Sequence, residues 1–328
     1  MSHFAGAVEK ELGHKFNTAD FKRGERVVIQ GLPSQGLPYA IGDFIAYRTT
    51  QSGERRGVRY FTGPSCLGLG TDLNPINPYT VQAIDTSSVG FLRNEELIAL
   101  PEETVTKQGV QEAHLKDLSL QRNLASALLE RDFDIRVQQA LKMLTQQGTR
   151  ATNISLDEFG QLVDSTRRQK VIDNIRDLKS RLAIKKDGSG GFHPFSYQLT
   201  PTGKESIFND LELIPLPKLL EPDRYNKWQL IIECLQGNLK AKLASAMVLW
   251  TDYGQNNTPV MRYEDIAEAI RGQKWNINRV FLDWRNKSYV LSESLPQQRR
   301  QYSLTKEGVQ AMELIREGVS PSAIKYLN

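Results

Sequence analysis

The chain has 328 residues, 24% charged and 39% hydrophobic, with a formal net charge of +4, which is globular in composition and too long for one ordinary domain. No run of 18 apolar residues occurs, which excludes a membrane-spanning helix, and two cysteines, Cys66 and Cys234, cannot make a disulfide framework, a four-cysteine zinc site or an iron–sulfur ligand set. So small a positive charge permits nucleic-acid binding without demanding it, and where the charge lies matters more than its sum.

The first residues, Met1 to Lys10, hold Glu9 and Lys10 and no apolar core of a leader. A secretory signal is therefore not expected, and a reducing cytoplasm is the expected compartment. Residues 26–30, 44–47, 58–61 and 79–84 read as strands. Gly24, Gly31, Gly36, Gly42, Gly53, Gly57, Gly63 and Gly68 punctuate them, and Gln51-Ser52-Gly53-Glu54 is a hairpin signal. Many short strands with glycine turns predict a small antiparallel barrel or roll.

Composition changes near residue 103. Leu115, Leu118, Leu124, Leu128, Ile135, Val137, Leu141 and Leu144 recur at helical spacings, predicting helices over 106–130 and 132–147. The leucines of the first helix, Leu115, Leu118, Leu124 and Leu128, fit either a coiled-coil seam with a second copy or a helix packed on its own barrel.

The last 180 residues contain an internal repeat. Tyr197-Gln-Leu199-Thr200-Pro-Thr-Gly203 returns 105 positions later as Tyr302-Ser-Leu304-Thr305-Lys-Glu-Gly308, and the pattern starting at Ile154 returns 107 positions later at Met261. Each copy reads helix, turn, helix, strand, turn, strand, helix, the order of a winged helix-turn-helix. In the first copy the helices fall at 156–163 and 166–181, the strands at 183–186 and 196–199. From Ser165 to Lys186 eight Lys/Arg stand against Asp173 and Asp177, a local excess of six that exceeds the net charge of the whole chain. Ser165, Thr166, Arg167, Arg168, Gln169, Lys170, Asp173, Asn174, Lys185 and Lys186 are the candidate DNA contacts: arginine has the fork for guanine, Gln and Asn suit adenine, and Lys170, Lys185 and Lys186 suit phosphates. The bland alternative is a solvated helix face.

In the second copy the helices fall at 263–271 and 274–287, the strands at 289–291 and 301–304, with residues 297–300 at the tip. Lys274, Asn276, Asn278, Arg279, Arg299 and Arg300 are the candidate contacts, and two apolar helices, 224–236 and 239–252, precede them. Here DNA binding competes with protein docking. Three prolines in 213–222 make a short stiffened linker.

The order of parts resembles the CRP/FNR family of transcription factors. The likeness is carried by Phe21-Lys-Arg-Gly24-Glu25 through Gly31, Gly42-Asp-Phe-Ile-Ala-Tyr47 through Glu54, Phe61-Thr-Gly63-Pro64, Thr80 through Leu92, and Glu158-Phe-Gly160-Gln-Leu-Val163 followed by Ser165-Thr166-Arg167. It covers about residues 15–208. It implies an α+β fold: a β-roll of the cupin-like jelly-roll kind (15–103), dimerisation and connector helices (104–148) and a winged helix (149–212). A linker (213–223) and a second winged helix (224–328), which the family lacks, complete the chain. The function implied is a homodimeric, sequence-specific, DNA-binding transcription regulator of the cytoplasm, with double-stranded DNA as partner. RNA polymerase or another protein is a further partner open to the second winged helix. Cyclic-nucleotide sensors of the family carry a Gly-Glu pair and an Arg in the roll. The matching stretch Leu67 to Tyr79 has neither Arg nor Glu, so no cyclic nucleotide, and no other cofactor, is expected. Family members place an Arg before the recognition helix's apolar position, and either Arg167 or Arg168 fills that role.

A plasmid-type replication initiator also carries tandem winged helices, although the glycine-punctuated roll speaks against it, and a winged-helix adaptor or assembly protein is a third reading. No enzyme is expected. His3, His14, His114 and His193 are scattered without metal spacing, no phosphate-loop or nucleophile-elbow motif occurs, and Cys66 reads as a small buried residue.

Overall fold

The computed structural model describes the chain apart from residues 1, 14, 34–35, 52, 54, 68–76, 78, 146–151, 166–167, 182, 188–194, 204–210, 222–227, 252–257, 320–323 and 325–328. The chain divides into two compact units. One comprises Met1–Thr49, Gly57–Leu124 and Phe133–Glu212, the other Thr50–Arg56, Ala125–Asp132 and Leu213–Asn328.

The first unit opens with α1 (Ser2–Leu12), a helix that the sequence pattern did not predict. Then come β1 (Thr18–Phe21), β2 (Arg26–Val28), β3 (Leu37–Ile41), β4 (Asp43–Thr49), β5 (Arg55–Thr62), β6 (Ser65–Cys66), β7 (Thr80–Ala83) and β8 (Ser87–Leu92). They form two four-stranded sheets, ordered β2-β7-β4-β5 and β1-β8-β3-β6. The four strands expected from the sequence all lie in the first sheet; the second is additional to them. Phe44, Ala46, Val58, Phe61, Val81 and Val89 bury a common core. A second cluster, of Phe4, Val8, Phe16, Tyr39, Cys66, Leu92 and Ala113, packs α1 beside it, with Phe4 stacked on Tyr39 at 3.7 Å between ring centres.

After α2 (Asn94–Ala99) follow α3 (Val105–Leu129) and α4 (Phe133–Leu144), within a few residues of the two helices expected. The first backbone N–H groups of α3 would lack partners. Glu11 accepts those of Val105 and Thr106 at 2.8 and 3.0 Å.

The unit continues with β9 (Thr152–Ile154), α5 (Leu156–Leu162), α6 (Arg168–Ser180), β10 (Ile184–Asp187), β11 (Phe195–Leu199) and α7 (Pro201–Gly203). The strands form an antiparallel sheet ordered β10-β11-β9, with Ile184 opposite Leu199 and Phe195 opposite Ile154.

The second unit holds α8 (Trp228–Leu235), α9 (Leu239–Trp250), α10 (Tyr263–Ala269), α11 (Lys274–Asn286), β12 (Val290–Ser294), β13 (Arg300–Leu304) and α12 (Lys306–Arg316). Within the proline-rich stretch a 3₁₀ turn, Lys218–Leu220, buries Leu220, and Trp250 Nε1 donates to the Leu219 carbonyl at 2.7 Å. That stretch is docked as well as stiffened. Arg316 is buried against Glu233, with Nη2–Oε2 at 2.9 Å, and also reaches Glu313 at 2.8 Å.

The repeat is geometrical as well as sequential. Both second helices, α6 and α11, have 13 residues. Asp164 and Arg271, 107 positions apart, turn the chain after α5 and α10 with φ of 53° and 55°. The next N–H closes the same bond in each, Ser165 to Gly160 O and Gly272 to Ala267 O, both 2.9 Å. The recurring Thr-x-x-Gly has one cause in both copies. The threonine hydroxyl caps the next helix by accepting from the glycine N–H at 2.9 Å. A Cβ on Gly203 or Gly308 would lie 2.1 or 1.9 Å from the carbonyl oxygen of Ala183 or Tyr289, so only glycine fits.

Candidate nucleic-acid interface

The sequence points to α6, and α5 with the turn after it sets where that helix starts. Ser155 caps α5: its hydroxyl accepts from Glu158 N at 3.2 Å, and Glu158 Oε2 accepts from Ser155 N at 2.8 Å, a reciprocal capping box. Glu158 has a second role that the sequence does not show. It also takes Arg23 Nη2 at 3.3 Å and Gln82 Nε2 at 3.4 Å, which ties α5 to the β2-β7-β4-β5 sheet and the turn before it. The turn then sends α6 off with Val171, Ile175 and Leu178 buried, at steps of four and three. Gln169, Lys170, Asp173, Arg176, Asp177 and Lys179 are exposed on the opposite side.

Several of these side chains serve one another. Asp173 Oδ1 accepts from Gln169 Nε2 at 2.8 Å and pairs with Arg176 at 3.3 Å, and Arg181 pairs with Asp177 at 2.9 Å. Asn174 Nδ2 donates to the Lys170 carbonyl at 3.2 Å. Lys170 Nζ sits 4.3 Å from the centre of the Phe133 ring on α4, and Arg136 of α4 donates to the Val163 carbonyl at 3.1 Å. Asp173 and Asn174, expected as DNA contacts, are thus engaged in braces along α6, because residues three and four apart face each other on a helix. Lys170 remains exposed but is drawn toward an aromatic face. Ser165 is half-buried in the turn. Thr166 and Arg167 lie outside the described residues, as do the side chains of Arg168, Lys185 and Lys186, whose backbones belong to α6 and β10.

In the second unit, Ile277, Val280, Phe281 and Trp284 of α11 are buried. Lys274 pairs with Glu264 and Asn276 donates to Gln273 at 3.3 Å. Asn278 is half-buried and Arg279 exposed. Arg300, expected at the tip, lies in β13: its backbone bridges Met261, and its guanidinium donates to Ser294 Oγ at 2.7 Å and faces the Tyr263 ring. The tip itself turns at Gln297 and Gln298, both at positive φ, leaving Arg299 exposed. Trp275, absent from the candidates drawn from the sequence, is 75% exposed at the second position of α11. The available signal is a large aromatic beside a cationic helix start; it is easily overlooked because tryptophan usually reads as core.

The four leucines of α3 part company. Leu124 and Leu128 are wholly buried within the chain itself, which removes them from any seam with a second copy. Leu115 is 61% exposed and Leu118 half-buried. Gln108, Glu112, Leu115, Ser119 and Arg122 are all exposed, at alternating steps of four and three.

The β-sheets enclose a cation that carries no motif in the sequence. Arg59 on β5 is fully buried; its Nη1 donates to Tyr79 Oη at 3.2 Å, and its guanidinium lies 5.0 Å from the Phe61 ring centre. Its Nε and Nη2 find no acceptor among the described residues. Asp117 on α3 accepts from Cys66 N at 3.2 Å. Burial pushes its carboxyl up to about 6, against the pull of Arg59 and of hydrogen bonds from Ser65 and Cys66. Burial also lowers His114 and raises Cys66 and Cys234, so both thiols stay protonated. Most of the Leu67–Tyr79 stretch, which lacks the Arg and Glu expected of a cyclic-nucleotide site, lies outside the described residues.

No protein-family model and no curated protein matches the chain. Solved structures do. They include transcriptional regulators of the CRP/FNR family. A CRP-family regulator from Thermus thermophilus shares 17% identity over 59% of this chain and 98% of its own, with a TM-score of 0.48. A CRP/FNR-family regulator from the same organism shares 16% over 60% and 100%, with a TM-score of 0.46. The c-di-GMP-responsive global regulator CLP of Xanthomonas campestris shares 18% over 60% and 98%, with a TM-score of 0.46. No helix among the described residues is long and apolar enough to cross a membrane.

Proposed function

We propose that the chain is a sequence-specific, DNA-binding transcription regulator that acts as a homodimer on an inverted repeat. The observation that carries this reading is the α5–turn–α6 element. It is capped, braced to the sheet through Glu158, and followed by the β10–β11 hairpin, and its second helix turns a cationic side outward. In this reading α6 enters the major groove by its N-terminal turn and the hairpin serves as a wing on the backbone. Arg167 or Arg168 reads guanine; Lys185 and Lys186 hold phosphates. The two four-stranded sheets act as a jelly-roll sensor domain, and the second unit adds a further winged helix. Pairing of two chains runs along the exposed side of α3 that includes Leu115. RNA polymerase is a partner open to the second winged helix.

Regulation by a cyclic nucleotide is not part of the proposal, because the matching roll stretch supplies neither Arg nor Glu. Inside the sheets, Arg59 gives Nη1 to Tyr79 and lies against Phe61.

Selection of duplexes from a random library tests the reading. The expected product is an inverted repeat whose half-sites are centred about 34–36 Å apart, one helical turn. If five cations in each protomer neutralise phosphates, the log–log salt slope approaches about −9 as an upper bound. Arg167→Ala is expected to relax base preference at a cost of about 1–3 kcal/mol. Unchanged binding by both Arg167→Ala and Arg168→Ala, or failure to retain any duplex at low salt, would overturn the proposal. Micromolar cyclic AMP binding by calorimetry would overturn the part that excludes a cyclic nucleotide.

A further inference from the structure

We propose that the outward side of α11, with the groove beside it, is a second duplex-DNA-contacting surface. This deepens the reading above by giving the second unit a place on the same DNA, but it stands on different residues.

Three of the four tryptophans, Trp228, Trp250 and Trp284, are buried; Trp275 is 75% exposed. One and two turns further along, Arg279 and Leu282 are exposed as well, and Arg285 and Asn286 extend the same side. Next to them runs a groove of about 670 Å³ lined by Asn238 and Lys240 from the start of α9 and by Asn276, Arg279, Asp283 and Lys287 from α11. Asp283 is taken by Lys287 at 2.8 Å. Lys240 on one wall and Arg279 on the other have no carboxylate or hydrogen-bond partner among the described residues. The groove therefore has an uncompensated charge of about +2 at neutral pH.

That charge decides the occupant. A protein-docking patch wants a contiguous apolar centre with cations paired or at its rim. Here Trp275 and Leu282 are two turns apart and separated by Arg279, so no such centre forms. A phosphate backbone is the partner that satisfies two facing cations at once. The amides of Asn276 and Asn278 have the donor–acceptor pair that adenine edges take, and an aromatic face suits a thymine methyl or a sugar. Lys274, held by Glu264, and Arg300, held by Ser294 and Tyr263, contribute less than the sequence assigned them.

The test uses the full chain and a mixed-sequence duplex of about 40 base pairs at low salt, long enough for more than one helical turn on either side of a site. Acrylamide quenching is read for the parent and for Trp275→Phe, so that their difference isolates Trp275. Duplex is expected to protect Trp275 several-fold. Lys240→Glu with Arg279→Glu, both at exposed positions, is expected to weaken binding at least tenfold and to make the salt slope shallower by about 2 per protomer. Equal quenching with and without saturating duplex, together with parental affinity in the double variant, overturns the inference. If Lys170→Glu in the first turn of α6 then still weakens binding, the proposed function survives alone. If no form of the chain holds the duplex, both fall.

Discussion

Replacing Asp117 by asparagine isolates the cost of the carboxylate that α3 presses against the sheets. Burial raises its pKa from 3.8 to about 6. The folded chain therefore binds the proton more tightly than the unfolded one. The stability that this group contributes is fullest below pH 3.8, falls as pH rises toward 6, and levels off above it. The total loss is about 3 kcal/mol, at roughly 1.36 kcal/mol for each pH unit between the two values. Between about pH 4.5 and 7.5 the same linkage gives a fall of about 2 kcal/mol. The asparagine keeps an acceptor for Cys66 N and carries no charge at any pH, so the variant lacks this fall. The assay is urea denaturation of both forms at half-unit steps of pH, reading the difference so that other groups cancel. The variant should gain on the parent by about 2 kcal/mol across that window. Arg59→Met, which removes the opposing cation, should carry the fall to higher pH. A parent–variant difference that stays flat within about 0.5 kcal/mol would refute the account.

Three further outcomes follow from the packing. Glu233→Gln removes the buried anion of Arg316 and leaves it the more exposed Glu313, and should lower the stability of the second unit by up to about 3 kcal/mol in urea melts, with Glu233→Leu/Arg316→Met recovering most of it. Gly308→Ala drives a methyl into the Tyr289 carbonyl and should cost at least about 1–3 kcal/mol, whereas Gly6→Ala, which meets nothing within 4 Å on α1, should be neutral or raise Tm slightly. Ser155→Ala removes the α5 cap and should cost about 1 kcal/mol, read as faster amide exchange in the first turn of α5.

The repeat was legible because its landmarks are local. A threonine that caps a helix and a glycine that must clear a carbonyl are set by tight local geometry, and so recur as letters. The same holds for α3, α4, α6 and α11, whose apolar residues recur at helical steps. The sheet β2-β7-β4-β5 was legible because its strands are rich in Val, Ile, Phe and Tyr. Its neighbour was not, because its strands contain Pro38, Gly90 and three serines, Ser65, Ser87 and Ser88, and owe their pairing to long-range register rather than to propensity. Helix α1 carried a signal, Phe4, Val8 and Leu12 at steps of four, that acquires meaning only through Tyr39 and Phe16.

Composition and periodicity alone determined the tandem modules, the two central helices and where the positive charge is concentrated. Which charges are available to a partner was decided by the tertiary structure. Asp173 is taken by Gln169 and Arg176, Lys274 by Glu264, and Arg300 by Ser294, while Leu124 and Leu128 are consumed by the chain's own core. The braces of Asp173, at helical steps of three and four, are locally readable, but exposure and pairing between separate elements are properties of neighbours that folding brings together. For the same reason Trp275, Lys240 and Arg59 read as ordinary letters until folding left two at the surface and enclosed the third.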